Sequence, residues 1–228
     1  MAFNVKNTTL PNIIDLISPH KCRGCGRVGE AFCERCKKYI IDEHRNICPN
    51  CKEEKTSDVC LNCKDLPSIY VGGKRDGVLG GLIHDYKYYS VRALARPLAE
   101  ILDAALPVEL ARNTVIVPLP TATNHIRERG MDHVYLVAKR LAKIRKIPIE
   151  RVLIRNKNTV QVGSSREQRL LQADLAYELN PKFEINKNKT YIIIDDVWTT
   201  GASVKAAVKK LRAGGAKSVM AALIAYSS

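Results

Sequence analysis

A chain of 228 residues that is 46% hydrophobic has the make-up of a globular protein and can hold one ordinary domain of about 100–200 residues plus a small appendage. No segment reaches the about 18–20 apolar residues of a membrane span, and the first twenty residues lack the charged start, apolar run and small-residue cleavage site of an export leader. A cytoplasmic protein without membrane insertion is therefore expected. The net charge of +14 is uneven: residues 1–70 carry a surplus of +2 and residues 71–228 a surplus of +12. Such a surplus attracts nucleic acid, nucleotides or phosphosugars, and it is also compatible with a solvated basic surface.

In chain order, the first strong signal is cysteine. All eight cysteines fall in four Cys-x-x-Cys pairs: Cys22/Cys25, Cys33/Cys36, Cys48/Cys51 and Cys60/Cys63. A disulfide framework is out of place in a chain with no export signal. Two thiolates on a tight turn hold half of a tetrahedral metal site, and soft sulfur donors select Zn²⁺ once ferredoxin spacings are absent. The gaps between pairs are 7, 11 and 8 residues. Sequential pairing closes the shorter loops at lower entropic cost than a cross-braced arrangement, so it is preferred. Gly24 and Gly26 suit the turn around the first pair. About 45 residues cannot build a sufficient apolar core, so two structural zinc ions are expected to supply the folding energy. With every ligand a thiolate, the sites read as closed rather than catalytic.

A short linker, Lys64 to Ser68, leads to the larger domain. Residues 78–89 carry an apolar face, then Lys87 and the tyrosines Tyr86, Tyr88 and Tyr89. Ser90 is expected to cap a helix to about residue 105, with Leu94, Leu98, Ile101 and Leu102 inward and Pro97 marking a bend or restart. Residues 114–120 read as a buried strand ending in a proline-rich turn. Asp132 is placed to cap a helix to about residue 145, with Val134, Val137, Leu141 and Ile144 on one face. Residues 190–195 and 218–225 read as buried strands, and 204–212 as an amphipathic helix stopped by Gly214 and Gly215. Strands alternating with helices predict an α/β domain with a mostly parallel sheet. The expected division is residues 1–68, an N-terminal helix with a double zinc-finger module, and 69–228, the α/β domain.

The segment that carries chemistry is Ile192-Ile193-Ile194-Asp195-Asp196-Val197-Trp198-Thr199-Thr200-Gly201-Ala202-Ser203. A buried strand delivers two carboxylates at its C-terminal end, where ligands sit in open α/β sheets. A hydroxyl- and glycine-containing loop then opens a helix. Backbone N–H groups of such a loop and the helix N-terminus cradle phosphate, while a carboxylate pair can accept from a vicinal diol. Together they offer what a ribose 5-phosphate needs. Trp198 is large for this position and would either cover a ligand or pack inward. No G-x-x-x-x-G-K-[ST] pattern accompanies it, which argues against an ATPase.

This segment resembles the phosphoribosyl pyrophosphate signature of type I phosphoribosyltransferases, a hydrophobic run followed by Asp-Asp-x-x-Thr-Thr-Gly-Ala-Ser/Thr. The resemblance implies the type I phosphoribosyltransferase fold. It also implies that Asp195 and Asp196 hold the ribose 2- and 3-hydroxyls as catalytic and binding groups. Thr199, Thr200, Gly201, Ala202 and Ser203 would bind the 5-phosphate, and Mg²⁺ would accompany phosphoribosyl pyrophosphate. The whole chain also resembles the ComF/ComFC family of competence proteins, which join a cysteine module to a phosphoribosyltransferase-like domain. The shared pieces are Ile14-Asp15-Leu16-Ile17 with Pro19, Leu82-Ile83-His84-Asp85-Tyr86-Lys87-Tyr88, Val117-Pro118-Leu119-Pro120, Arg127-Glu128-Arg129-Gly130, and Gln161 to Arg169. Departures sit at Met131, Asp132 and His133, where the family continues Phe-Asn-Gln, and at Ser164 and Gln172. They flank the side expected to take pyrophosphate and acceptor, and they leave the ribose-phosphate cradle intact.

Residues 127–169 hold twelve basic and four acidic side chains, a surplus of +8. A groove along a nucleic-acid backbone needs such density, and single-strand binders add aromatic platforms. Lys139, Arg140, Lys143, Arg166 and Arg169 are the candidate nucleic-acid contacts. Lys139 to Lys146 also fit a solvated helix face, and the three tyrosines are candidates either for platforms or for packing. Arg127 and Arg129 stand where a pyrophosphate would be clamped. Three readings follow. By resemblance to ComFC, the protein would bind single-stranded DNA during natural transformation beside a ComFA-type helicase. Alternatively it is an active transferase moving ribose 5-phosphate to an unidentified acceptor. The third reading is a zinc-module adaptor for a protein partner.

Overall fold

The computed structural model describes residues 20–44, 47–55, 57–156 and 175–227. The N-terminal stretch before His20 and the Gln161–Arg169 motif, with Arg166 and Arg169, lie outside the described residues. So does Gln172. Two two-residue strands, β1 (His20–Lys21) and β2 (Val28–Gly29), pair antiparallel around the first cysteine turn, and helix α1 (Glu34–His44) follows. The main sheet has four parallel strands in the order β3 (Ser68–Val71), β8 (Ser218–Tyr226), β7 (Thr190–Trp198) and β4 (Thr114–Pro118). A smaller antiparallel pair joins β5 (Leu153–Arg155) to β6 (Tyr177–Leu179).

Both faces of the sheet are covered, which is why its strands are apolar throughout rather than alternating. Ile192 and Ile194 of β7 point to one core, built by α2 (Gly77–Tyr88), α3 (Ala95–Ala105) and α5 (His133–Arg145). Tyr191 and Ile193 point to the other, filled by α6 (Ala202–Ala213) and the β5–β6 pair. The type I phosphoribosyltransferase fold expected from the sequence is the fold observed: a parallel sheet flanked by helices, with a small cysteine module in front. Among the described residues no helix is long and apolar enough to cross a membrane.

Two local expectations are corrected. Ser90 does not cap a helix. Its backbone turns left-handed (φ 53), its hydroxyl donates to Arg129 O at 2.8 Å, and a 3-10 turn at Arg92–Leu94 precedes α3. Pro97 then sits in the first turn of α3, where a missing N–H costs nothing. Ile144 is not on the inward stripe but 41% exposed; Ala138 and Ala142 fill that side of α5 instead. Of the tyrosines open to either platform or packing, Tyr86 is 1% exposed and packs in the core. Asp132 does cap α5, accepting from Tyr135 N at 3.1 Å.

The cysteine module leans on the larger domain rather than standing apart. Phe32 and Ile40 enter the first core, and Ile47 and Leu66 pack against the second. Lys37, 6% exposed, bridges Glu34 and Glu100 of α3; Arg23 pairs with Asp85 at 3.1 Å; Lys55 donates to Ile69 O at 2.6 Å. These contacts supply the apolar surface and the ion pairs that a 45-residue unit lacks.

Candidate functional site

The cysteines gather as two quartets, Cys22, Cys25, Cys33 and Cys36, and Cys48, Cys51, Cys60 and Cys63, each with its sulfurs within 4.8 Å of one another. This is the sequential pairing expected from loop length. In the first turn Gly26 is left-handed (φ 73), and a Cβ on Gly24 would come within 2.7 Å of Cys36 Sγ. In the second turn Lys52 takes the left-handed role (φ 69) and its N–H donates to Cys48 O at 2.9 Å. Burial alone would raise Cys22, yet N–H groups of Cys33, Cys25 and Gly24 hold it at about 6. Burial and three crowding thiols push Cys36 up to about 12, and burial with its neighbouring thiols does the same to Cys51. Four sulfurs this close cannot all ionise without a cation among them. A closed sulfur-only site with N–H donors already aimed at sulfur fits Zn²⁺.

The second centre lies at the C-terminal end of β7. The strand's two-residue period sends the adjacent acids to opposite sides. Asp196 faces α2 and α5: its Oδ2 is 2.6 Å from Lys87 Nζ and 2.6 Å from His133 Nε2. Asp195 faces the β5–β6 side, where Arg155 Nη1 donates to Tyr177 Oη at 3.3 Å and Tyr177 also interacts with Ser203. Burial, then the charge of Asp196, raises Asp195 to about 7. Burial opposes ionisation of Asp196 as well, but the His133 hydrogen bond and the Lys87 ammonium override it and hold its carboxyl far below the usual range. One acid is thus a firm carboxylate and its neighbour is poised near neutrality.

Asp196 is held from behind by a relay. Tyr86 Oη donates to His133 O at 2.8 Å, and Arg129 Nη1 lies 3.1 Å from His133 Nδ1. The same Nη1 lies 3.4 Å from Nε2, so it is the Asp196 carboxylate, an acceptor only, that calls for the proton on Nε2 and leaves Nδ1 of a neutral ring as acceptor. Arg129 also lies over the Tyr88 ring, 5.5 Å from its centroid. Arg127 stands exposed on the same short helix, α4 (Thr123–Arg129).

The loop Thr199–Gly201 joins β7 to α6. Gly201 is left-handed (φ 72), and Thr200 Oγ1 accepts from Ala202 N at 3.3 Å. The 12-residue α6 leaves its first N–H groups pointing into this loop. Trp198 does not cover the loop. It is 1% exposed and lies under Gly201, where a Cβ would meet its ring at 2.1 Å. Glycine is required here both by backbone conformation and by the tryptophan beneath it.

The structure therefore brings Asp195, Asp196 and the 199–203 loop together and sets Arg129 behind them. Lys87 and His133 were missed as site residues by sequence reasoning. Their signals were present: Lys87 lies in the Leu82–Tyr88 motif, and His133 is a departure from the resembling family's pattern. Lys139, Arg140 and Lys143 are exposed on α5. Arg145 in the same run is committed elsewhere, pairing with Asp103 and donating to Pro107 O at 2.7 Å.

Residues 126–228 match the family model described as the phosphoribosyl transferase domain. A comparison with curated proteins gave no match. Among solved structures, similar chains include a glutamine phosphoribosylpyrophosphate amidotransferase from B. subtilis complexed with ADP and GMP, at 20% identity over 61% of this chain with a TM-score of 0.42. Another is described as the allosteric regulatory enzyme of purine biosynthesis, at 19% identity over 62% of this chain with a TM-score of 0.42. This chain spans 30% of the length of each. With its parallel sheet, its acid pair at the strand end and its matched segment 126–228, the larger part of the chain has the phosphoribosyltransferase-type fold.

Proposed function

We propose that the protein binds phosphoribosyl pyrophosphate with Mg²⁺ at the end of β7. The observation that carries this reading is the continuous run from Asp195 and Asp196 through left-handed Gly201 into the N-terminus of α6. The two acids would accept from the ribose hydroxyls, and the Thr199–Ser203 loop would take the 5-phosphate on N–H and hydroxyl groups. The cation would neutralise the pyrophosphate, with Arg127 and Arg129 at the same end of the sheet. Calorimetric titration with phosphoribosyl pyrophosphate and Mg²⁺ tests this. Saturable binding lost in Asp196→Asn and Gly201→Val supports it; equal heats in wild type and both variants reject it.

On this site we build a DNA-handling role like that of ComF proteins. Exposed Lys139, Arg140 and Lys143 on α5 support it, as do Tyr88 and Tyr89, which are 59% and 69% exposed and flank His84 at 5.0 and 5.4 Å. Cationic side chains beside open aromatic rings suit single strands, and a ComFA-type helicase would be the natural partner class. Anisotropy of a labelled single strand across a salt series is the test. Binding that weakens steeply with salt is expected, and no binding at about 0.15 M salt rejects the role.

One observation favours a second reading, an active transferase: Asp195 is held at about 7 beside the ribose cradle, where a carboxyl can exchange a proton. Acceptor-dependent release of pyrophosphate, lost in Asp195→Asn, would establish it.

A further inference from the structure

The second cysteine site and the phosphate loop are 130 or more residues apart in sequence, yet two chains of contacts join them, and both end on Trp198. In the first, Asn50 Nδ2 donates to Cys63 Sγ at 3.3 Å, which turns Asn50 Oδ1 toward Lys205, whose Nζ donates to it at 3.3 Å. Lys205 belongs to the first turns of α6; its N–H donates to Gly201 O at 2.9 Å, and its ammonium lies 5.7 Å from the Trp198 ring centroid. In the second, Lys52 donates from Nζ to Ser227 O at 2.5 Å and lies 4.7 Å over the Tyr226 ring. Ser227 N donates to Trp198 O at 2.8 Å. The Trp198 ring and its backbone are thus each reached from the 48–52 turn, and the ring is the floor on which Gly201 rests.

Chemistry gives these contacts a direction. A thiolate on a metal is a fixed acceptor, so the amide that donates to Cys63 is oriented by the loaded site. Lys52 holds a left-handed backbone that a lysine rarely adopts, which ties its side chain to the shape of the turn. We propose that Asn50, Lys52 and Lys205 are positioning residues of the phosphate loop, and that the metal-loaded second cysteine site sets the loop's geometry through them.

Trp198 is the single tryptophan of the chain, so its fluorescence reports this contact directly. The test uses the full zinc-loaded chain, with two bound zinc ions per chain verified by native mass spectrometry for each variant. Asn50→Ala lies in the module and Lys205→Met in the larger domain, so one misfolded variant does not end the experiment. Both are expected to raise acrylamide quenching of Trp198 while keeping their zinc. Both are also expected to weaken phosphoribosyl pyrophosphate binding about 10-fold, the scale of losing a partner of a metal ligand. Quenching unchanged from wild type in both variants overturns the proposal. The affinity arm rests on the ribose-phosphate reading above. Should wild type bind no phosphoribosyl pyrophosphate, that reading fails, and the quenching arm still decides the coupling.

Discussion

His133 Nε2 lies 2.6 Å from Asp196 Oδ2, on the same carboxylate oxygen that Lys87 reaches at 2.6 Å. Both of these contacts fall on one oxygen of the Asp196 carboxylate. His133 is 4% exposed, so its loss cannot be made good by bulk water. Lys87 stays on that oxygen, so His133→Ala is expected to cost about 1.5–3 kcal/mol, the scale of one lost hydrogen bond to a charged group. His133→Gln keeps an N–H donor and is expected to recover most of that. Urea unfolding of the two variants checks the ordering.

Asp195 carries a proton in the folded state up to about pH 7, whereas an unfolded aspartate loses it near 3.8. A raised folded pKa means stability is fully present below the unfolded value and is lost as pH rises through the folded one. Asp195→Asn is a permanent mimic of the protonated form. It is expected to raise the melting temperature at pH 8 by a few degrees, at about 2–4 °C per kcal/mol, and to change it far less at pH 5. Scans at the two pH values test this; an equal shift at both would refute it.

Gly201 tolerates no side chain. An alanine there meets a left-handed backbone, costing about 1–2 kcal/mol, and an indole at 2.1 Å, costing about 1–3 kcal/mol more as overpacking. Gly201→Ala is expected to show both losses. Adding Trp198→Leu should relieve the second and leave the first, which a double-mutant cycle by denaturant unfolding would resolve.

Each quartet should hold its own ion. Native mass spectrometry is expected to show two zinc ions per chain, one lost in Cys36→Ser and one in Cys63→Ser. Chelation should lower the melting temperature, since metal binding and folding of the module are linked. Loss of both ions from either single variant would instead mean a shared cluster.

Local spacing determined much of this protein. Four Cys-x-x-Cys turns specify two sulfur sites because a two-residue gap presents both sulfurs to one ion, and the short loops between 25 and 33 and between 51 and 60 choose the pairing. The run from Ile192 to Ser203 specifies strand, acids, loop and helix because each is written in consecutive residues. What the chain could not declare is what meets these elements from far away. Lys87 and His133 reach Asp196 across 109 and 63 positions. Lys52 reaches Ser227 across 175. Trp198 reads equally as a lid or as core until α6 and β8 close around it. Ser90 reads as a cap until its hydroxyl finds Arg129 O. Hydrophobic period and turn chemistry act within a few residues and are legible in sequence. Which buried polar groups satisfy one another is settled only when the sheet brings both its faces under cover.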